Sequence, residues 1–363
     1  MADAGSLKAW LALSLTRGLG GESARRLLTE FGSPDAIFAA SASSLKAVVK
    51  PDVATEIGKA TPDDIAAPGL AWLEDDNNHV VTLADSDFPQ ALLNIPDPPL
   101  LLYVKGRLDL LNRPALAVVG SRNATPQGLN NAEAFARSLS DAGLCIISGM
   151  AHGIDAAAHR GALRGQGGSI AVVGTGLDKI YPAANRDLAH LLAQQGALIS
   201  EFPLGTPPLA ANFPRRNRLI SGMSLGCLVV EASLQSGSLI TARLALEQGR
   251  DVFAIPGSIH APQSKGCHAL LKQGAKLVET AQDILEELGG LPVALADAAT
   301  SQGPDPDGRN AALLKHLGFD PVDVDTLCVR CGLTIAELSA MLLSLELDGR
   351  ICALPGGLYQ RIH

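Results

Sequence analysis

The sequence predicts an α/β protein with a doubly wound, mostly parallel sheet, preceded by a small all-α domain and followed by a winged helix. Two observations predict the sheet: short apolar runs recur through the middle of the chain, and stretches with helical periodicity separate them. A third observation predicts the last domain, because residues 309–363 show three helical stretches followed by a hairpin with Pro355-Gly356-Gly357 at its turn.

The first segment, residues 1–78, has the pattern of several short helices. Gly18-Leu19-Gly20 precedes an amphipathic stretch that contains Leu27 and Leu28. Glycines placed before a helix allow its amides to approach a phosphate, as in a helix-hairpin-helix. A plain pair of packed helices explains the same pattern and is the favoured interpretation.

The middle segment, residues 79–290, contains the predicted sheet. Its apolar runs are continuous rather than alternating, which is typical of strands buried on both faces. The six runs are LAVVG (116–120), LCIIS (144–148), IAVVG (170–174), ALIS (197–200), LVVEA (228–232) and VFAIPG (252–257). Two earlier runs, HVVTLA and LLLYVKG, are expected to extend this sheet or to pack beside it. Thr125 and Pro126 are the expected cap and first residue of the helix after the first of the six strands.

Small residues, proline, glycine and aspartate dominate residues 291–308, which are therefore predicted to be a linker. The winged helix follows at 309–363. Its expected recognition helix, 333–349, contains no lysine or arginine, although helices that read duplex DNA are basic. We therefore interpret this domain as a partner-contact or regulatory module.

Of the 363 residues, 47% are hydrophobic and 18% are charged, a globular composition. The formal net charge of -8 lies in the flanks: residues 1–79 have 7 basic and 11 acidic residues, 80–290 have 17 of each, and 291–363 have 5 and 9. The middle can therefore present a local basic face. No apolar run is long enough for a membrane span, and the start lacks the basic region of a secretory signal, so we expect a cytoplasmic protein.

Three loops after predicted strands are small or rich in glycine, and each opens a helix: 121–123, 149–155 and 233–238. Ligands of open α/β sheets bind outside the carboxyl ends of the strands. Unpaired amides and the positive end of a helix dipole suit phosphate groups. A row of such junctions would cradle several phosphates.

The familiar catalytic and cofactor motifs are missing. There is no P-loop, and Gly174-Thr175-Gly176 lacks the third glycine of a dinucleotide site, at Lys179. Asp155 and His159, with Ser148 and His152 nearby, suggest a metal site or a triad, but a self-satisfied pair at a helix start is favoured. Cys328 and Cys331 lack a second metal-binding pair, which favours buried helix positions over a zinc site. We expect no catalytic residue, no metal and no cofactor.

The stretch FPRRNRLISG, 213–222, gathers three arginines beside Phe213 and Pro214. Phenylalanine can stack on a base, and arginine can pair with phosphate. A solvated basic face is the alternative. The preceding GTPPLAANFP predicts a stiff loop rather than an exposed helix, which supports a site for single-stranded nucleic acid.

These motifs together resemble the DprA/Smf family, the DNA-processing proteins of bacterial natural transformation. The motifs are Gly120-Ser121-Arg122, SGMAHGIDAAAHRGAL (148–163), VVGTGLDKIYPAANRDL (172–188), FPRRNRLISGMS (213–224), EASLQSGSLITARLALEQGRDVFAIPG (231–257) and KGCHALLKQGA (265–275). The resemblance implies a Rossmann-like core that binds single-stranded DNA without cutting it and forms a homodimer. It also implies loading of RecA onto incoming strands and displacement of single-strand binding protein.

By motif position, the resemblance places DNA contacts in the three loops and around them. The expected DNA-binding residues are Gly120, Ser121, Arg122, Ser148, Gly149, Gly153, Lys179, Arg186, Phe213, Pro214, Arg215, Arg216, Asn217, Arg218, Ser236, Gly237, Ser238 and Lys265. Many members carry a basic residue within the YPxxN segment, where this chain has Ala183-Ala184. That phosphate contact is either missing or transferred to Lys179 or Arg186.

An enzyme is the competing hypothesis. The core resembles, more distantly, the lysine-decarboxylase-like Rossmann group, which includes nucleoside-monophosphate phosphoribohydrolases. Those enzymes need a PGGxGTxxE segment in which a glutamate works with an arginine. Here Glu231 precedes the glycine turn, and no glutamate follows it.

Overall fold

The computed structural model describes residues 4–289 and 308–362. Six short helices come first, a nine-stranded sheet with helices on both faces follows, and a winged helix ends the chain. The predicted linker, 291–308, lies outside the described residues except for Gly308, where the first helix of the winged helix begins. No helix in the described ranges combines the length and the apolar character needed to cross a membrane.

The N-terminal helices pack around a small core that includes Leu27 and Ile37. Ser33 and Ser41 cap two of them with side-chain oxygens, as serine does at helix starts. The helices are α1 (Ala4–Leu15), α2 (Gly21–Phe31), α3 (Pro34–Ala39), α4 (Ala42–Val48), α5 (Pro51–Lys59) and α6 (Pro62–Trp72).

Gly21, the first residue of α2, lies against a carboxylate of the core domain. A side chain at Gly21 would overlap the carboxylate of Asp97, and Arg25 lies 3.3 Å from the same group. Arg25 also donates to the carbonyls of Pro96 and Pro98. The start of α2 is therefore used for packing against residues 96–98, which supports the packed-helix interpretation over a phosphate-binding hairpin.

The sheet contains every strand that the apolar runs predict. Its strands are β1 (Asn78–Thr82), β2 (Leu101–Gly106), β3 (Ala115–Val119), β4 (Cys145–Ser148), β5 (Ser169–Val172), β6 (Ala197–Ser200), β7 (Gly226–Val229), β8 (Asp251–Ala254) and β9 (Lys276–Leu277). The order is β1-β2-β6-β5-β4-β3-β7-β8-β9. The strands from β6 to β9 are parallel to one another. At one edge, β2 pairs antiparallel with β6, and β1 pairs antiparallel with β2. HVVTLA and LLLYVKG thus extend the sheet.

Both faces of the sheet are buried. Along β3, Ala117 and Val119 face one hydrophobic core while Leu116 and Val118 face another, so every residue of the strand is apolar. The helices are α7 (Pro126–Asp141), α8 (Ile154–Ala162), α9 (Arg186–Gln195), α10 (Asn212–Gly222), α11 (Ser238–Glu247), α12 (Lys265–Lys272) and α13 (Ala281–Glu287). Thr125 caps α7 and Pro126 is its first residue, as predicted.

The strand order places a crevice between β3 and β7. From β3 the chain winds one way through β4, β5 and β6, and from β7 it winds the other way through β8 and β9. The loops after β3 and β7 therefore separate, and ligands of doubly wound sheets bind at this point.

The winged helix has a compact core of its own, which includes Leu327, Leu338 and Leu342. Its elements are α14 (Gly308–Leu317), β10 (Val322–Asp323), α15 (Val324–Cys331), α16 (Ile335–Leu347), β11 (Ile351–Leu354) and β12 (Leu358–Arg361). β11 and β12 form the predicted hairpin around residues 355–357, and β10 adds a third strand. Cys328 and Cys331 lie half-buried on α15.

Candidate nucleic-acid interface

A cavity of about 660 Å³ opens at the crevice between β3 and β7. Its walls come from the segments that follow β3, β4, β5, β6 and β7, including the first turns of α10 and α11. The expected DNA-binding residues that line it are Gly120, Ser121, Arg122, Phe213, Pro214, Arg216, Asn217, Ser236, Gly237 and Ser238. The fold thus brings together residues that are more than 100 positions apart in the sequence.

Two aromatic rings and a guanidinium form one side of this cavity. The rings of Phe213 and Tyr181 have their centroids 5.6 Å apart, and the guanidinium carbon of Arg122 lies 5.8 Å from the Phe213 centroid. Arg122 is exposed, Phe213 is half-buried and Tyr181 is 42% exposed. Flat rings beside an exposed cation offer a base a surface for stacking and a phosphate a partner.

Gly174 explains how Phe213 reaches this position. A side chain at Gly174 would approach the Phe213 ring to 3.2 Å, so the ring needs the open space that glycine leaves. Asn212 fixes the same contact by donating to the carbonyl of Gly174 at 3.0 Å. The Gly174-Thr175-Gly176 stretch therefore serves the placement of an aromatic ring.

The start of α11 also lines the cavity. Ser236 and Ser238 share a hydrogen bond of 2.7 Å, and the helix has no side-chain cap at Gly237. The amides of Ser238, Leu239 and Ile240 donate to the Ser236 hydroxyl and to the carbonyls of Ser236 and Gly237, so this turn offers the cavity the positive end of the helix dipole. The junction lines the cavity through Ser236, Gly237 and Ser238.

Amides of the glycine loop after β4 are engaged inside the protein instead. The carboxylate of Asp155 accepts from the amides of Gly149 and Ala151, at 3.2 and 3.3 Å. The amide of Gly128 at the start of α7 is likewise engaged, because it donates to the hydroxyl of Thr125. These two junctions hold loops in place and do not offer a row of phosphate sites.

Arg216 forms the floor of the cavity. It is 4% exposed, donates to the carbonyl of Val172, and lies so close to Gly149 that any side chain there would overlap it. Burial lowers the pKa of Arg216 to about 10, against the opposing effect of Asp155, so the guanidinium stays charged at neutral pH. Burial in turn raises the pKa of Asp155, and Arg216 counteracts that rise.

Asp155 and His159 do not satisfy each other, so the predicted self-satisfied pair is wrong. His159 is fully buried and shares a hydrogen bond of 2.8 Å with Ser169, and burial lowers its pKa to about 3. A neutral, buried imidazole and a carboxylate bound to amides cannot act as a triad. Within residues 4–289 and 308–362, no cluster of three His, Cys, Asp or Glu side chains could hold a metal ion.

The three arginines of FPRRNR do not act as one cluster. Residues 205–211 form no helix or strand, but the loop predicted for the arginines is wrong, because residues 212–222 form α10. Helical spacing sends neighbouring side chains in different directions. Arg218 is bound to the carboxylate of Glu201, which is 4% exposed, and Arg215 lies 3.4 Å from the same carboxylate. Arg216 turns to the cavity, while Arg218 lies away from it.

Five further expected residues lie outside the cavity walls. Ser148 is fully buried and donates to the carbonyl of Val118 at 2.6 Å, so it cannot touch a ligand directly. Gly153 has a φ of 77° and packs under Ser121, where a side chain would overlap the Ser121 carbonyl. Lys179, Arg186 and Lys265 are exposed on the surface outside it.

Glu231 is turned away from the cavity. Its two carboxylate oxygens accept from the amide of Thr125 at 2.9 Å and from the Thr125 hydroxyl at 2.5 Å. Burial raises the pKa of Glu231, and these hydrogen bonds oppose the rise. The side chain links the loop after β7 to the start of α7, which is the organising role the sequence left open.

Tyr181 is a lining residue that the sequence analysis did not select. It lies in the YPxxN segment after β5. The sequence could have indicated it, because an aromatic residue here follows a predicted strand at the same edge of the sheet as Phe213. Gln263, from the loop before α12, also lines the cavity and donates to the carbonyl of Asn123 at 2.9 Å. No motif pointed to that residue.

Comparison with known proteins agrees with this architecture. The family model for DNA recombination-mediator protein A matches residues 79–289, and the model for the DprA winged helix domain matches residues 296–357. The chain is similar to Protein Smf of Escherichia coli, with 50% identity over 295 residues, which cover 79% of each chain.

Two solved structures resemble the fold. One is the X-ray structure of DNA processing protein A from Streptococcus pneumoniae, with a TM-score of 0.69 and 38% identity, covering 77% of this chain and 97% of that one. The other, DNA processing protein A from Helicobacter pylori, was described for its single-stranded DNA binding mode; its TM-score is 0.53 with 32% identity, covering 58% of this chain and 95% of that one. The chain therefore belongs to the DprA/Smf family, with a Rossmann-like core and a C-terminal winged helix.

Proposed function

We propose that this protein binds single-stranded DNA across the cavity, without cleaving it, and loads RecA onto the bound strand during natural transformation and recombination. The observation that carries the proposal is that Arg122, Phe213, Tyr181 and the start of α11 line one cavity, with the two rings and the guanidinium beside one another. Bases would stack on the rings, and phosphates would meet Arg122 and the positive end of the α11 dipole.

The cavity suits an unpaired strand better than a duplex. Stacking on Phe213 or Tyr181 requires a base whose face is exposed, and a paired base in a duplex does not offer one. Arg216 at the floor adds a positive charge that has lost most of its hydration, which strengthens its attraction for a phosphate. Single-stranded DNA binding by the Helicobacter pylori relative supports the same ligand.

The partners follow from family membership. RecA, a second copy of this chain bound through the Rossmann-like core, and single-strand binding protein are the partners that the family implies. We place the protein in the cytoplasm on the same basis, where RecA and the incoming strand meet. The support for these partners is membership of the family and not a contact in the structure.

Replacement of Arg122 by alanine tests the site. We expect weaker binding of a labelled single-stranded oligonucleotide, and a decrease of about 0.7 in the slope of log affinity against log salt, because one phosphate contact is lost. Fluorescence anisotropy at several salt concentrations measures both quantities, with a duplex of the same length for comparison. Arg137→Ala is the matched control, since Arg137 lies on the exposed face of α7 beside Asp141. An unchanged slope in Arg122→Ala would remove Arg122 from the interface.

Incubation with nucleoside monophosphates tests the competing enzyme hypothesis. We expect no release of free base, with or without divalent cations, because the Glu231 carboxylate is committed to Thr125 and does not reach the cavity. Chromatography of the reaction mixture detects the free base. Turnover that persists in the purified protein and disappears in Glu231→Gln would favour a phosphoribohydrolase over our proposal.

A further inference from the structure

An exposed apolar stripe runs along α16 of the winged helix. Ile335, Leu343 and Leu347 are 61%, 58% and 80% exposed. They are spaced by multiples of four residues, so they share one side of the helix, with the exposed Ser339 completing the row. We call these four residues the α16 stripe.

The neighbouring face of α16 is covered by its own domain. Leu338, Leu342 and Leu345 are buried in the core of the winged helix. The apolar part of α16 is thus wider than the face that the domain covers. The described part of the chain leaves the large apolar side chains of the α16 stripe open to solvent, and exposed apolar side chains in one row mark a candidate interaction site.

Two carboxylates lie beside the C-terminal half of the stripe. Glu346 lies one turn from Leu343, Asp348 follows the end of the helix, and the sequence from 333 to 349 contains no lysine or arginine. Residues 291–363 carry 5 basic and 9 acidic residues, a net charge of -4. A polyanion and a second copy of this acidic domain would both be repelled at close range.

We propose that the α16 stripe docks a basic amphipathic helix of another protein. Such a helix would place apolar side chains at positions i, i+3, i+4 and i+7 against Ile335, Leu343 and Leu347. Lysines and arginines beside those anchors would face Glu346 and Asp348. Winged helices that bind duplex DNA carry a basic recognition helix. In this chain the corresponding helix carries a docking surface for a cationic partner.

Selection from a random library of helical peptides displayed on phage tests this inference, with the full-length protein immobilised as bait. The enriched peptides should share the apolar spacing and carry a net positive charge. Binding of a synthetic copy of the strongest peptide should weaken at least about tenfold in the double variant Leu343→Ser and Leu347→Ser, since these two adjacent anchors lie beside Glu346. Added salt should weaken it further, because the flanking contacts are ionic.

Val329→Ser is the matched control, because Val329 is 85% exposed on α15 and lies outside the stripe. It should leave peptide binding unchanged. Enrichment of peptides that lack cations, binding that survives the double variant, or no enrichment at all would overturn the inference. A lower affinity for duplex DNA, or a change of oligomeric state, in the double variant would assign the stripe to DNA or to a second copy and would equally contradict it. None of these results depends on the cavity in the core.

Discussion

Replacing Arg218 with alanine should cost about 3–5 kcal/mol of the free energy of unfolding, because it removes one partner of a buried ion pair. The carboxylate of Glu201 is 4% exposed, and the Arg218 side chain that binds it is 12% exposed. Without Arg218, the charge of Glu201 would stay buried beside Arg215 alone, at 3.4 Å. Urea denaturation of the purified variant and the wild type measures the difference.

The loss should depend on pH in a defined direction. Burial raises the pKa of Glu201 above its ordinary value of 4.5, and Arg218 opposes that rise. In the variant the pKa rises further, so between 4.5 and the raised pKa the folded state binds more protons than the unfolded chain. Lowering the pH through that interval should therefore recover part of the lost stability relative to the wild type.

Two further variants separate this ion pair from other effects. Arg215→Ala should change stability by only about 0–1 kcal/mol, because Arg215 is exposed and its pair with Glu201 is screened by water. Adding Glu201→Gln to Arg218→Ala should restore much of the stability, since no unpaired charge is then buried. A loss in Arg218→Ala no larger than that in Arg215→Ala would show that the buried pair contributes little.

The sheet could be predicted from the sequence because its signal is local. Each central strand is buried on both faces, so each is a continuous apolar run with a turn or a helix on either side. The winged-helix hairpin was equally local, since Pro355, Gly356 and Gly357 mark its turn. Alternation of strands and helices predicts that the central strands are parallel, but it does not give their order, in which β3 pairs with β7.

The roles of the three arginines could not be predicted in the same way. They depend on groups that are distant in the sequence: Glu201 follows β6, Asp97 precedes β2, and Gly149 follows β4. Helix α10 sends Arg216 toward the cavity and Arg218 toward Glu201, which a count of basic residues cannot distinguish. One of the clustered arginines thus lines the cavity, while another belongs to a buried ion pair.

Asp97 extends this group of ion pairs to the N-terminal helices. Its carboxylate lies 3.3 Å from Arg25 of α2 and 3.7 Å from Arg218 of α10. The N-terminal helices are therefore joined by charge to the helix that carries Phe213 and Arg216. The sequence contains no motif for this connection, because it requires the folded positions of three separate segments.

Replacing Phe213 with alanine should weaken single-stranded DNA binding about tenfold or more, since a base stacked on an aromatic ring contributes roughly 1–3 kcal/mol. The half-buried ring lies beside Tyr181 and Arg122, at the side of the cavity where an unpaired base would enter. Stacking is not ionic, so the salt slope should stay at the wild-type value. That constancy distinguishes Phe213→Ala from Arg122→Ala, in which the slope should fall.

Phe213→Tyr is the conservative control and should keep most of the affinity, because the ring remains and its position over Gly174 is unchanged.

Tyr181→Ala should also weaken binding. The two rings touch, with centroids 5.6 Å apart, so their losses should not add in the double variant if both hold the same base. A Phe213→Ala protein that loses its cooperative thermal transition would show that the ring supports the fold instead, and equal affinity with an intact transition would exclude stacking at this position. The Phe213 ring packs on a glycine at the surface of the crevice and is half-buried rather than enclosed. We therefore expect Phe213→Ala to fold and to lose affinity for single-stranded DNA.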